Sequence, residues 1–210
     1  YVEYKINVKV ENLTKVFGKC LALDRLNFSF SGGEVHGFIG PNGAGKTTTM
    51  RILSTLEEPT RGDANIAGFS VSEYPYQARR MVGFVPDWFA GFDDTTVHEY
   101  LDFFARAHGL KGRKRKESIE NIEEFTGLIP LREKLITELS RGMQQRVCLG
   151  RALIHNPPVL LLDEPLSALD ALVRTRLRDE IRRIQQAVKT TALYVTHDQT
   201  EAMALSDRVA

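Results

Sequence analysis

Cysteine is almost absent from this chain of 210 residues: Cys20 and Cys148 are the only two. Neither sits in a spacing that suits a metal, which fits a reducing compartment and thiols that are buried or inert. Long apolar runs are missing too. No stretch approaches a membrane span, and no signal peptide is visible. An excess of one charge is also lacking, with 28 basic against 27 acidic side chains. This balance excludes the strong bias expected of a nucleic-acid or acidic-membrane binder. An initiating Met is absent and the chain stops at Ala210, which reads as a fragment of a longer protein. The length still allows a substantial core, enough for one domain with an inserted subdomain.

What is present is concentrated in one stretch, Gly40-Pro41-Asn42-Gly43-Ala44-Gly45-Lys46-Thr47-Thr48. It matches G-x-x-x-x-G-K-[ST] at Gly40, Gly45, Lys46 and Thr47. The preceding residues 34–39 read as a short strand and the following residues 47–53 as the start of a helix. The motif requires that context. Glycines let successive backbone N–H groups curl around phosphate oxygens, and the helix aims its positive end at the same place. Lys46 supplies a point charge for β- and γ-phosphates, and the Thr47 hydroxyl is a ligand for Mg²⁺.

Around this loop the chain alternates short strands and turns. Residues 8–13 and 21–30 read as strands ahead of the loop, forming an antiparallel β layer beside the core. Phe17 is expected at the tip of the loop between them, open to two readings, ordinary packing or an aromatic platform for a base. Residues 64–68 and 81–85 give two more strands, the second ended by Pro86-Asp87. From about 97 to 155 the pattern turns helical, with Val97, Tyr100, Leu101, Phe104 and Ala105 on one face. The basic run 111–116 reads as a solvated loop and helix start, and Ile119, Ile122, Phe125 and Leu128 continue a second helix. Residues 159–164 are an apolar strand ending in Asp163 and Glu164, the pattern of a central parallel strand covered on both faces. Asp163 would then lie beside the phosphate loop to hold Mg²⁺, with Glu164 next to it to accept a proton from water. An amphipathic helix is expected at 172–188 and a strand at 192–195, with His197 at that strand's carboxyl edge, where ligands of such sheets bind.

The whole set resembles the ATP-binding cassette (ABC) ATPases, the nucleotide-binding domains of ABC transporters. The most specific piece is Leu139-Ser140-Arg141-Gly142-Met143, similar to the family's LSGGQ signature but with Arg141 and Met143 where Gly and Gln are usual. The resemblance implies an α/β fold: a P-loop NTPase core with a mostly parallel sheet, an N-terminal antiparallel β layer and an inserted helical subdomain at about 90–155. It implies Phe17 as the adenine platform and residues 40–48 as the cradle for ATP. Ser140 and Gly142 would form a second phosphate surface facing a partner subunit, so that two ATP are sandwiched in a homo- or heterodimer. Asp163 and Thr47 would serve Mg²⁺, with Glu164 as catalytic base, Lys46 on the phosphates and His197 as the switch that senses the γ-phosphate. Residues 167–170 resemble the loop linking the two sites. Transmembrane permease subunits, and with them a place on the cytoplasmic face of the membrane, are implied as well.

One position departs from the family. Asp87 stands where a Gln usually touches Mg²⁺ and relays to the membrane subunits, no nearby Gln substitutes for it, and its charged oxygen is expected to reach Mg²⁺ through water. Residues 82–104 and the signature look like ABC-2 type exporters, whereas residues 166–209 look like importer ATPases for sugars, iron or phosphonates. A mixed lineage or an assembled sequence accounts for both. A GTP switch is disfavoured by the lack of an Asn-Lys-x-Asp segment. The alternatives to a transport ATPase are a non-transport ABC ATPase and a regulatory cassette with little turnover.

Overall fold

The computed structural model describes residues 7–89, 91–164, 175, 179, 182–183, 190–196, 202–203 and 206–209. In chain order, β1 (Asn7–Phe17) and β2 (Cys20–Ser31) form a hairpin, and β3 (Val35–Ile39) leads through the phosphate loop into α1 (Lys46–Leu53). Next come β4 (Arg61–Ile66), β5 (Phe69–Ser70), α2 (Pro75–Arg80) and β6 (Val82–Val85). The helices α3 (Val97–Ala107), α4 (Gly112–Phe125) and α5 (Arg141–Leu153) follow, with 3₁₀ turns at Ile129–Leu131 and Ile136–Glu138. The chain then returns to β7 (Val159–Asp163), β8 (Thr191–Thr196) and β9 (Arg208–Val209).

Alternation explains the first sheet. Val8, Val10 and Leu13 of β1 are buried, while Lys9 and Glu11 are exposed and pair with each other at 2.8 Å. This sheet runs in the order β2-β1-β4-β5, every pair antiparallel. The second sheet runs β6-β7-β8-β3-β9 and is parallel throughout. Its central strands are continuous apolar runs because both faces are covered. Val159 and Leu161 of β7 face a core shared with β1 and with Met50, Ile52 and Leu53 of α1. Leu160 and Leu162 face Cys148, Leu149, Ala152 and Leu153 of α5 instead. Each such leucine contributes about 1.5–3 kcal/mol relative to exposure.

The inserted helices carry their own core, in which Val97, Tyr100 and Leu101 of α3 meet Ile119, Leu128, Ile136 and Val147. Helix α3 starts sharply because Thr96 and Glu99 form a reciprocal capping box, with the Thr96 N–H donating to Glu99 Oε2 at 2.9 Å. The helix expected to carry Leu128 ends earlier, at Phe125, where Gly127 adopts a left-handed φ of 65°. The basic run opens α4 and is largely exposed, as expected. Cys148 is buried, which pushes its thiol up to about 11, whereas Cys20 is exposed. The helix anticipated at 172–188 falls mostly outside the described residues.

Candidate functional site

The strand order places β3 and β7 on either side of β8, so the loops leaving β3 and β7 share one edge of the sheet. The loop after β3 turns into α1 through Gly45, whose φ is 84°. A Cβ there would run into the Ala22 carbonyl and the Leu23 side chain, so the loop closes this tightly only with glycine. Pro41, Asn42, Gly43, Ala44 and Thr47 are exposed, with Thr48 half-buried, so the loop lies at the surface. The Lys46 side chain instead folds inward. Its Nζ donates to the Gly40 and Pro41 carbonyls at 2.7 and 3.0 Å and stands 3.7 Å from Glu164 Oε1.

Residues 116 apart in sequence meet beneath the loop: the Thr47 hydroxyl donates to Asp163 Oδ1 at 3.3 Å. Asp163 is buried at the end of β7, and burial pushes its carboxyl up to about 6, opposed by the Thr47 hydrogen bond and reinforced by the charges of Glu164 and Asp87. A buried carboxyl beside a hydroxyl oxygen, with two further carboxylates bearing on it, is an environment that a hard divalent cation relieves. Thr47 and Asp163 therefore fit Mg²⁺. Among the described residues, no group of three or more His, Cys, Asp or Glu is arranged to hold a metal alone. Glu164 follows with a left-handed φ of 45°, and its N–H donates to the Val195 carbonyl at 3.1 Å.

Phe17 departs from expectation. It is not at a loop tip but is the last residue of β1, paired with Cys20 across the hairpin. The ring is still 47% exposed, with Lys15 Nζ 4.8 Å from its centroid. Ser140 caps the N-terminus of α5, its Oγ accepting from the Met143 N–H at 3.5 Å. Ser140 is exposed and Gly142 half-buried, and no hydrogen bond joins either to the phosphate loop among the described residues. His197 and residues 167–170 lie outside the described residues.

Asp87 is exposed on the loop after β6. The sequence offers no glutamine near it, but the fold does: Gln145 Nε2 donates to the Asp87 carbonyl at 3.2 Å. The two are 58 residues apart, and nothing local in the sequence signals the contact.

Fold and site together define a P-loop protein of the α/β class. More particularly, the chain belongs to the ABC transporter family, whose pattern matches residues 23–167. It is 44% identical over 203 residues to the "Fe(3+) ions import ATP-binding protein FbpC" of Brucella abortus, covering 97% of this chain and 57% of that protein. A protein of the same description, FbpC 1 of Haemophilus influenzae, is 38% identical over 200 residues, covering 95% of this chain and 61% of that one. The chain thus spans about three fifths of the length of the curated relatives it matches. A solved "dimeric structure of a post-hydrolysis state" of the ATP-binding cassette MJ0796, bound to ADP and Pi, superposes with a TM-score of 0.84 at 28% identity. That match covers 96% of this chain and 92% of the other.

Proposed function

We propose that this chain is the ATP-binding and ATP-hydrolysing part of an ABC transporter, acting as a dimer that closes around two ATP. The observation that carries the reading is the convergence of Lys46, Thr47, Asp163 and Glu164 at one sheet edge, joined by contacts of 3.3 and 3.7 Å. Lys46 would leave the Gly40 and Pro41 carbonyls to meet the β- and γ-phosphates, while backbone N–H groups of the loop after Pro41 would hold them. Phe17 would stack on the adenine. Thr47 and Asp163 would hold Mg²⁺, with Asp87 linked to it through water. When bound, that ion neutralises phosphate charge. Glu164 would accept the proton of the attacking water, and its backbone turn aims the carboxylate back towards Lys46. Ser140 and Gly142 at the start of α5 would complete the site of a partner subunit, with His197 as the switch.

Helices α3–α5 belong, on this reading, to the helical subdomain at about 90–155. A groove of about 240 Å³ beside them is lined by Leu56, Arg79, Phe104, His108, Arg151 and His155 without an acidic residue. Ring contacts continue from Phe104 to the exposed Phe103 and Phe92. This basic and aromatic surface is where we place the transmembrane permease subunits, which would hold the chain at the cytoplasmic face. None of the described helices is long and apolar enough to cross a membrane itself. The relatives' names favour import over export. The test is hydrolysis of ATP with and without Mg²⁺, in wild type and Glu164→Gln. Loss of the base is expected to cost about 10²–10⁴ in rate with ATP binding retained. Turnover unchanged in Glu164→Gln would remove Glu164 from its role, and absence of ATP binding in wild type would end the proposal.

A further inference from the structure

Gln145 lies in α5, five residues after its cap Ser140, and is 8% exposed. Its Nε2 holds the Asp87 carbonyl, the peptide group that joins Asp87 to Trp88. Its Oε1 is buried and has no hydrogen-bond partner among the described residues. The same helix also grips β6, the strand before the Asp87 loop, at two points. Arg151 Nη2 donates to the Phe84 carbonyl at 3.2 Å, and Gly83 packs so tightly on the Ala152 carbonyl that a Cβ could not be added. Packing alone does not explain a glutamine here. An unbranched apolar side chain would fill the site without burying an unpaired acceptor, at the cost of leaving the Asp87 carbonyl without its donor. A half-satisfied amide kept in a core is the kind of local cost that accompanies function.

We infer that Gln145 is a positioning residue for the metal side of the nucleotide site: its amide ties the Asp87 loop to α5, so that Asp87 is presented to the Thr47 and Asp163 oxygens from a fixed backbone. Strand β6 pairs with β7 with Val85 opposite Leu162, so the Asp87 loop leaves the sheet at the edge where Asp163 ends β7. The inference rests on the functional reading above for the identity of the ion, but the clamp itself does not.

Trp88 is the only tryptophan in the chain and is 68% exposed, so its fluorescence reports on this loop alone. The experiment compares wild type with Gln145→Met and Gln145→Leu, both apolar and both lacking the donor. In nucleotide-free protein, time-resolved anisotropy of Trp88 should show a larger fast component in both variants. With ADP present, the Mg²⁺ concentration that half-saturates the Trp88 response should rise about two- to tenfold, the worth of one hydrogen bond. In an Asp87→Asn background the same substitutions should shift it no further, because the carboxylate they position is gone. Wild-type anisotropy in both variants would overturn the clamp. A released loop with an unchanged Mg²⁺ midpoint, or an equal shift in the Asp87→Asn background, would overturn the positioning role. A wild-type protein that binds no nucleotide would overturn the functional reading and the positioning role with it, while the anisotropy comparison would still decide the clamp.

Discussion

Glu164 combines a left-handed backbone with a side chain that has no local reason to adopt it. A φ of 45° costs a non-glycine residue on the order of 1–2 kcal/mol, and such positions cluster where chemistry over-determines the geometry. Glu164→Gly is therefore expected to raise stability by about 1 kcal/mol, since glycine accepts this backbone freely. Hydrolysis should be abolished in the same variant, with thermal melts and ATPase rates measured side by side. A lower melting temperature would mean that the carboxylate's contacts outweigh the strain. A second residue-scale effect concerns His155, whose ring stacks on His108 at 3.7 Å with 4° between the planes. Burial, with help from His108 and Arg80, lowers His155 from 6.5 to about 4, and burial also lowers His108. Between those values the unfolded chain binds a proton that the folded one refuses. Stability should then be full above pH 6.5 and decline as pH falls towards 4. His155→Phe, which keeps a ring on the stack, should flatten that decline. An identical pH profile of urea midpoints in the variant would clear His155 of the effect.

At the scale of elements, two devices fix the inserted helices. Thr96 caps α3, and Thr96→Ala should lower the stability of the chain by about 1 kcal/mol, read as a lower denaturant midpoint at constant slope. Gly83 lets α5 lie against β6, and Gly83→Ala should cost more than the Thr96 change because the collision is with backbone that cannot turn aside. A midpoint for Gly83→Ala above that of Thr96→Ala would show that the two elements can part cheaply. The same elements explain what could be read from the chain beforehand. The phosphate loop, β7 and α3 were legible because each carries its own local signal: a glycine spacing, an apolar run ending in acid, a helical stripe. Thr47 and Asp163 could be brought together in advance because both ends were marked. The pair β5 and α2 carried no such mark. The first is two residues long, and the second buries only Ala78 and has no side-chain cap. Phe17 was misplaced because Gly18 signals a turn, whereas pairing with β2 carries the strand up to that glycine. Gln145 was missed for the same kind of reason, since its partner is a backbone carbonyl that leaves no trace in the sequence.

For the molecule as a whole, the proposed dimer turns on Ser140 and Gly142, which stand at the start of α5 with Ser140 exposed. On the proposed reading Ser140 and Gly142 form a phosphate surface that another subunit completes, and a two-fold dimer would supply that completion twice over. Each proposed site then takes Lys46 from one subunit and Ser140 from the other. Specific ATPase activity should accordingly rise with protein concentration until the dimer is saturated. A sharper consequence comes from mixing two inactive variants. Lys46→Ala damages the loop side of every site that its subunit supplies, and Ser140→Arg blocks the opposite side. In a mixed dimer both lesions fall in one site and the other site is intact. Random exchange makes about half the dimers mixed, so equal amounts of the two variants should recover about a quarter of the wild-type sites. Recovery should follow subunit exchange in time, and a mixture no more active than its components would sink the shared site.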